Sequence, residues 1–306
     1  MTLGTPNPRQ REFLACEKKY VAFGGARGGG KSWAVRCKAK LLALRYAGIR
    51  ILLVRRSLAE LEANHLAFLR QELADVAEYR AGERQFRFCN GSVLQFGYCG
   101  CDRDLDRYQG AEYDVIFLDE ATQLKEQWMR QIAACVRGVN DFPKRIYYTC
   151  NPGGPGHGYI KRLFIDRRFE DGEQPEDYAF IPARVTDNTA LLARQPDYLK
   201  TLEALPYKLR RAWLEGRWDV FAGQVFQEFT DDPDHYDDRR WTHVIRPFDV
   251  PREWNIYRSY DFGYARPFSC GWWAVDHDGC VYRIAELYGC TGTPDEGVLW
   301  TPERQF

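Results

Sequence analysis

A glycine-rich segment near the amino terminus has the residue types and spacing of a phosphate-binding loop. The pattern G-x-x-x-x-G-K-[ST] is matched by Gly25, Ala26, Arg27, Gly28, Gly29, Gly30, Lys31 and Ser32. Glycines let the backbone approach an anion closely enough to donate its N–H groups. Lys31 would contact the β- and γ-phosphates, and the hydroxyl of Ser32 would bind Mg²⁺. The segment therefore predicts a site for ATP and Mg²⁺.

A pair of carboxylates further along the chain could complete the chemistry of hydrolysis. The apolar run Val115–Leu118 is followed directly by Asp119 and Glu120. In a Walker B arrangement Asp119 would hold Mg²⁺ through water, and Glu120 would polarise the attacking water. The pair could instead open a helix, where the macrodipole favours carboxylates. With a phosphate loop upstream we favour Walker B, and we expect its strand to lie beside the strand that enters the loop.

Three more polar residues are candidates for contact with the nucleotide. Gln10 precedes the loop, and its amide could read an adenine edge or simply lie on the surface. Thr149 and Asn151 follow the apolar run that begins at Ile146. They could sense the γ-phosphate and pass its loss to the glycine-rich segment after them, or they could be turn formers.

The segments around these residues predict an α/β fold. Tyr20–Phe23 is a short apolar run suited to a buried strand, and helical spacing begins at Trp33. Ile51–Val54 predicts a second parallel strand that is covered on both faces. Ser57 and Glu60 then form a capping box at the start of another helix. The alternation predicts a mainly parallel, doubly wound sheet flanked by helices.

Several polar residues near this second strand have two interpretations each. Arg55 and Arg56 stand at the strand's carboxyl end, where they could touch DNA phosphates or be solvated. His65 lies on the inward stripe of the next helix, and we interpret it as a residue at the edge of the core rather than a ligand.

Two further segments precede the paired carboxylates. Gln85–Gly97 predicts a β-hairpin that decorates the parallel core, because alternating apolar residues flank the turn formers Asn90 and Gly91. The stretch 102–110 mixes both charge signs and ends in glycine, which predicts a solvated loop.

Composition restricts the classes of protein that the chain can belong to. The chain has 306 residues, enough for one large α/β domain and part of another, and its net charge is zero. Any contact with nucleic acid must therefore use a local basic patch. Ten scattered cysteines without a secretory signal predict reduced thiols in a cytosol. No apolar run approaches the roughly 20 residues that a membrane span needs.

The carboxyl-terminal region predicts a second domain. Ile256–Tyr260, Cys270–Val275 and Val281–Ala285 read as successive strands. Asp261 ends the first of them, and it could hold a metal ion or form a turn. Glu286 follows the third strand and is a weaker candidate of the same kind.

Taken together, these motifs resemble the large terminase subunit, the DNA-packaging ATPase of tailed bacteriophages. Arg27 matches an extra arginine in that family's phosphate loop, and Thr149–Pro152 resembles its coupling motif. The run that closes the family's ATPase domain is matched by Asp187-Asn188, Tyr198-Leu199, Leu205-Pro206 and Glu215-Gly216-Arg217-Trp218. Residues 260–267 resemble the opening strand of its RNase H-like nuclease.

The resemblance implies a domain organisation. A P-loop ATPase domain of the RecA/ASCE type would occupy residues 1–218, a linker 219–255, and the start of an RNase H-like nuclease 256–306. Asp261 would be the first nuclease carboxylate and Glu286 a second, with Mg²⁺ or Mn²⁺ as the metal. Because further acidic residues would be needed, we expect the chain to be a fragment without a complete nuclease site.

The resemblance also implies a function. The chain would hydrolyse ATP to move double-stranded DNA into a prohead, as part of a homo-oligomeric ring in the host cytoplasm with a portal protein and a small terminase subunit as partners. Arg107 would act on the neighbouring subunit's ATP, or it could form a surface ion pair with Asp104 or Asp106. Arg27 could instead serve within its own subunit. Two alternatives stay open, a helicase-like DNA-dependent ATPase and a nucleotide-gated assembly module with slow or absent hydrolysis.

Overall fold

The chain forms two compact units, which a computed structural model describes over residues 4–220, 229, 231–240, 242–291 and 296–305. The first unit is Met1–Thr230 and the second is Asp231–Phe306. Residues 221–228, 230 and 241 of the predicted linker lie outside the described residues. The predicted boundaries at 218 and 255 stay predictions.

Eight strands build the sheet of the first unit. They are β1 (Tyr20–Gly25), β2 (Arg50–Arg55), β3 (Ala77–Arg80), β4 (Gln85–Phe88), β5 (Val93–Tyr98), β6 (Val115–Leu118), β7 (Arg145–Cys150) and β8 (Tyr178–Ala183). Their order is β3-β4-β5-β2-β6-β7-β1-β8. From β5 to β8 all neighbours pair in parallel, as predicted.

The prediction that the strand before Asp119 lies beside the strand before the phosphate loop is wrong. Strand β7 lies between β6 and β1 and pairs in parallel with both. Pairing order depends on contacts distant in sequence, so the local pattern of each strand does not reveal it. As a consequence, the polar residues that follow β7 stand between the phosphate loop and the paired carboxylates.

Continuous apolar runs form these central strands because both faces of the sheet are covered. In β2, Ile51 and Leu53 belong to one hydrophobic cluster, and Leu52 and Val54 belong to a second cluster. All four side chains are at most 1% exposed. Successive side chains of a strand point to opposite faces, so the two clusters lie on the two sides of the sheet.

The predicted hairpin is confirmed, but it is part of the main sheet. Strands β4 and β5 pair antiparallel around a turn in which Gly91 has φ of +84°. Strand β5 also pairs in parallel with β2, and β3 pairs antiparallel with β4 at the sheet edge. The segment therefore extends the core sheet and does not decorate it.

Ten α-helices are present among the described residues. They are α1 (Pro8–Ala15), α2 (Lys31–Arg45), α3 (Leu58–Leu61), α4 (Ala67–Glu72), α5 (Glu126–Ala133), α6 (His157–Ile160), α7 (Thr189–Arg194), α8 (Tyr198–Glu203), α9 (Tyr207–Trp213) and α10 (Pro302–Gln305). Shorter 3₁₀ and π segments join several of them. Within the described part of the chain, none of the helices has the length and apolar character needed to cross a membrane.

Two helical segments bear on the site. Ser57 caps α3 by accepting the N–H of Glu60 at 3.3 Å. The predicted capping box is only half formed, because the Glu60 carboxylate pairs with Arg55. A π-helical turn (Glu62–Leu66) joins α3 to α4. The predicted solvated loop over 102–110 is wrong, because Asp102–Tyr108 is a 3₁₀ helix. Its Leu105 side chain is buried, and this packing stabilises the helix despite the dense charge.

The second unit contains a three-stranded antiparallel sheet. Its strands are β9 (Asn255–Asp261), β10 (Ser269–Val275) and β11 (Val281–Tyr288), in the order β11-β10-β9. The strands and the turn at Gly279, where φ is +82°, agree with the sequence prediction. The exception is Glu286, which lies within β11 and does not follow it, because the pairing with β10 continues to Tyr288.

Candidate active site

The phosphate loop joins the end of β1 to the start of α2. Gly30 precedes the helix with φ of +76°, a conformation that glycine adopts without strain. A Cβ atom at Gly30 would clash with Nε2 of Gln10, so a side chain there would displace the Gln10 amide. The 15-residue helix α2 begins at Lys31. The free N–H groups and the dipole at this end of the helix favour the binding of an anion.

Gln10, on α1, forms a hydrogen bond with the phosphate loop. Its Nε2 donates to the carbonyl of Gly30 at 3.0 Å, and its Oε1 accepts the N–H of Asn7 at 2.9 Å. The side chain is buried, which rules out the interpretation as a surface residue. Nε2 carries two hydrogens, so one remains for another acceptor. Adenine recognition by Gln10 stays a prediction.

Lys31 lies buried between the loop and β7. Its Nζ donates to the carbonyl of Ala26 at 2.6 Å and to Oδ1 of Asn151 at 2.7 Å. Burial lowers the pKa of Lys31, and the nearby Glu120 carboxylate counteracts part of that shift. Lys31 is therefore held by two polar contacts at the position from which it would reach phosphates.

Asn151 connects Lys31 to Glu120. Its Nδ2 donates to both carboxylate oxygens of Glu120, at 3.1 and 2.9 Å. Glu120 itself has φ of +52° and ψ of +47°, the left-handed region that residues other than glycine adopt with strain. Strained backbone of this kind concentrates at functional sites, where it fixes the direction of a side chain. The side-chain amide of Asn151 thus positions both Lys31, the predicted phosphate-binding cation, and Glu120, the predicted base.

Asp119 is 1% exposed and is surrounded by donors. Oδ1 accepts the hydroxyl of Thr149 at 2.6 Å, and Oδ2 contacts Nε2 of His65 at 2.9 Å. Arg55 forms an ion pair with the same Oδ2 at 3.1 Å. Burial raises the pKa of Asp119, but His65, Arg55 and Thr149 outweigh it and hold the pKa below its usual range. Asp119 is therefore an anion.

Two of these partners are not identified as site residues by the sequence. The sequence predicts that Arg55 contacts DNA phosphates or solvent and that His65 lies at the edge of the core. In the structure both side chains contact Asp119. Arg55 ends β2, which pairs with β6 directly before Asp119. The position of Arg55 at the carboxyl end of a strand is a signal in the sequence that could have identified it as a site residue. Nothing in the local pattern indicates the contact of His65, 54 residues away from Asp119.

The residues fit a magnesium ion. An ionised carboxylate offers about four acceptor positions, and the contacts of Asp119 leave room at Oδ1 for one more donor, such as a metal-bound water. Ser32 follows Lys31 in the first turn of α2 and supplies a hydroxyl. Hard oxygen ligands and retained waters are what Mg²⁺ prefers.

Thr149 bridges the paired carboxylates. Its hydroxyl donates to Asp119 and accepts the backbone N–H of Glu120 at 2.9 Å. Thr149 is 1% exposed, so it is not a simple turn former. Direct sensing of a γ-phosphate by Thr149 or Asn151 stays a prediction.

The run predicted to close the domain packs around the phosphate loop. The backbone N–H of Arg27 donates to the carbonyl of Trp213, within this run, at 2.8 Å, and the N–H of Ala26 donates to the carbonyl of Ala183, at the end of β8, at 2.9 Å. Asn188 donates from Nδ2 to the carbonyl of Gly28 at 2.7 Å. The guanidinium of Arg27 lies 3.4 Å from the ring centroid of Trp213. The catalytic role of Arg27 stays a prediction.

The glycine-rich segment after Asn151 is held by hydrogen bonds at its start, with Thr122, and further along, with His157. Thr122 donates to the carbonyl of Asn151 at 2.8 Å, and Gly153 donates to Nδ1 of His157 at 3.0 Å. The ring of His157 stacks on Trp218 with 5.3 Å between centroids. A continuous set of contacts therefore joins Asn151 to the end of the closing run.

Arg107 lies on the 3₁₀ helix Asp102–Tyr108. Its NH1 is 3.2 Å from Oδ1 of Asp104, and its guanidinium lies 4.1 Å from the ring centroid of Tyr98. The side chain is 47% exposed, so another molecule could reach it. Its action on a neighbouring subunit stays a prediction.

In the second unit, Asp261 and Glu286 share one face of the sheet. Asp261 pairs with Ser269 across β9 and β10, and Glu286 accepts the hydroxyl of Ser269 at 2.9 Å. Arg283 also donates to Glu286 at 2.7 Å. Among the residues that the structure describes, no group of three or more His, Cys, Asp or Glu could hold a metal ion. Their role as nuclease ligands stays a prediction.

The sheet order and the site together define a class of protein. A parallel sheet carries the phosphate loop after β1 and paired carboxylates after β6, with β7 between them, which is a P-loop nucleoside triphosphatase. The family model "Terminase large subunit, T4likevirus-type, N-terminal" matches residues 22–230. The chain therefore belongs to the large terminase subunit family.

Solved structures of large terminases have the same fold. The large terminase of a thermophilic bacteriophage is 18% identical, with a TM-score of 0.58 over 93% of this chain and 68% of that one. The complex of that terminase with ADP is 17% identical, with a TM-score of 0.58 over 92% and 68%. The large terminase ATPase domain of Thermus phage P74-26 is 15% identical, with a TM-score of 0.51 over 70% and 94%. No curated protein matches the sequence.

Proposed function

We propose that the chain is the ATP-hydrolysing subunit of a viral genome-packaging motor that moves double-stranded DNA into a prohead. The observation that carries this proposal is the bridge from Lys31 through Asn151 to Glu120, at 2.7 Å and then 3.1 and 2.9 Å. It connects a phosphate-binding cation, a polar residue that follows β7 and a potential base. The site alone indicates ATP hydrolysis, and membership of the terminase family indicates that hydrolysis drives DNA packaging.

In this proposal each residue has a separate task. The N–H groups of Ala26 and Arg27 already donate to other carbonyls, so those of residues 28–32 would bind the phosphates of ATP. Lys31 would neutralise the β- and γ-phosphates. Glu120 orients the attacking water and accepts its proton. Asp119 and Ser32 would hold Mg²⁺, which neutralises charge on the phosphate oxygens.

Loss of the γ-phosphate would be passed on through Asn151. Phosphate would compete for Lys31 and weaken its contact with Oδ1 of Asn151, which is 2.7 Å in this structure, and the contact would return after product release. Asn151 is joined to Thr122, and the segment after it is joined through His157 to Trp218. This path would carry a change at the nucleotide to the end of the first unit.

The partners in this proposal are double-stranded DNA, a portal protein, a small terminase subunit and further copies of this chain in a ring. The large terminase of the thermophilic bacteriophage, solved with ADP, supports nucleotide binding by this fold. The location would be the host cytoplasm, with transient attachment to the prohead.

The helicase alternative is weaker. A two-lobed helicase uses a second parallel α/β lobe, whereas the sheet described in the second unit has three antiparallel strands. The third alternative, a module with little hydrolysis, is opposed by the presence of Lys31, Ser32, Asp119 and Glu120 in one site.

A single assay separates the three functions. ATP hydrolysis is measured with the purified chain alone, with double-stranded or single-stranded DNA, and with proheads that carry the portal. A packaging motor requires stimulation by double-stranded DNA and by proheads. Stimulation by single strands with strand separation would identify a helicase, and absence of turnover in every condition would identify the assembly module.

Arg107 is expected to act on the ATP of the neighbouring subunit. Arg107→Ala should lower DNA-stimulated hydrolysis about 10³- to 10⁵-fold, because an arginine supplied by a neighbour stabilises charge in the transition state. Mixing Arg107→Ala chains with Glu120→Gln chains should restore hydrolysis, since some interfaces then combine an intact base with an intact arginine. Arg103→Ala, which changes another exposed arginine of the same 3₁₀ helix, is the matched control. Mixed rings no more active than the separate variants would refute the role of Arg107.

The 306-residue chain is expected to hydrolyse ATP without cutting DNA. Two-metal cleavage needs ions about 4 Å apart, held by several carboxylates, and Asp261 and Glu286 cannot hold both. Plasmid nicking is measured with Mg²⁺ and with Mn²⁺. Nicking that disappears in Asp261→Ala, and that a mock purification lacks, would contradict this expectation.

A further inference from the structure

We propose that His65 and Arg55 are positioning residues that fix the orientation of the Asp119 carboxylate for metal binding. The observation is that both side chains contact the same oxygen, Oδ2, at 2.9 and 3.1 Å. His65 is completely buried, and the Arg55 side chain is 12% exposed. This inference rests on the proposed ATPase function and adds two residues to its site.

The helix that carries His65 has a local irregularity at this position. Residues Glu62–Leu66 form a π-helical turn, in which the N–H of Ala67 donates to the carbonyl of Glu62. Such turns insert one residue into an α-helix and change the direction of the side chains, and they occur often at functional sites. Here the turn lies between two α-helical segments and carries the ring that meets Asp119.

The chemistry of the contact determines what His65 does. An ionised carboxylate accepts hydrogen bonds and donates none, so Nε2 of His65 carries the proton that it shares with Oδ2. Arg55 is itself held, because its Nε donates to Glu60 at 3.2 Å while NH1 pairs with Asp119. Arg55 is thus fixed before any metal is present, and His65 is held in place by its complete burial.

The arrangement assigns different tasks to the two carboxylate oxygens. His65 and Arg55 engage Oδ2, and Thr149 engages Oδ1 from the side of β7. The carboxylate cannot rotate without breaking these contacts, so Oδ1 keeps one direction for a metal-bound water. Outer partners of this kind typically change metal affinity about 10- to 100-fold when they are removed.

The test is the dependence of nucleotide binding on the concentration of Mg²⁺. Binding of a fluorescent ADP analogue to the full chain is titrated with Mg²⁺, which requires no hydrolysis. We expect His65→Leu to raise the half-saturating Mg²⁺ concentration about 10-fold or more. His65→Gln retains an N–H donor at a similar reach, and it should stay within about threefold of the parent.

Leu69→Ala separates positioning from general stability. Leu69 lies one turn after His65, is fully buried, and belongs to a hydrophobic cluster. Its truncation should lower thermal stability while leaving the Mg²⁺ half-saturation near the parent value. Equal Mg²⁺ dependence for His65→Leu and Leu69→Ala would overturn the inference. Absence of nucleotide binding by the parent chain would instead refute the proposed function.

Discussion

Lys31→Ala is expected to reduce ATP hydrolysis by at least about 10²- to 10³-fold, the effect of removing one preorganised group that stabilises developing charge. Lys31 is buried at the start of α2, and its Nζ already lies within 2.7 Å of two oxygen atoms. An alanine would leave the phosphates without their close cation. It would also remove the donor to Asn151, and with it the connection to Glu120. Phosphate release under saturating ATP measures the loss.

Lys38→Ala is the matched control for this change. Lys38 is also a buried lysine of α2, but its Nζ donates to the carbonyls of Leu14 and Cys16, at 2.6 and 3.2 Å. Burial lowers the pKa of Lys38 to about 8, so both lysines are desolvated cations on one helix. The control should lose stability while retaining hydrolysis per folded molecule. Hydrolysis by Lys31→Ala within about tenfold of the parent would exclude the predicted role.

Much of the site could be predicted because its motifs are local. Gly25–Ser32 determines much of its own backbone course, since Gly25, Gly28 and Gly30 adopt positive φ, a conformation that glycine takes without strain. Val115–Leu118 needs burial on both faces, so the following carboxylates had to stand at the carboxyl edge of a sheet. These requirements belong to a few adjacent residues. The motifs, the parallel sheet and the hairpin were accordingly found from the sequence.

The rest depended on contacts between distant segments. Whether Arg55 turned to solvent or to Asp119 was decided by the pairing of β2 with β6, which no short pattern encodes. His65 looked like a core residue because its spacing is that of a buried stripe, and a buried stripe can also face a carboxylate. The position of β7 between β1 and β6 was missed for the same reason.

Glu120→Gln is expected to retain nucleotide binding while hydrolysis falls about 10²- to 10⁴-fold, the contribution of a positioned general base. Glutamine has nearly the same shape, so the loop and Lys31 should be undisturbed. It cannot accept a proton from water. The amide of Asn151 donates to both oxygens of Glu120, at 3.1 and 2.9 Å, and glutamine offers it one acceptor. Affinity for an ATP analogue and single-turnover hydrolysis are measured on the same protein.

Glu126→Gln is the control for the loss of one carboxylate. Glu126 lies in the first turn of α5 and pairs with Arg130 at 2.8 Å, and both side chains are more than 40% exposed. An exposed pair contributes about 0–1 kcal/mol, so this variant should bind and hydrolyse ATP like the parent. Turnover by Glu120→Gln at the parent rate would show that Glu120 is not the base. Loss of binding in Glu120→Gln would point instead to a structural role, since the strained backbone at Glu120 and the contacts of Asn151 would then depend on the charge.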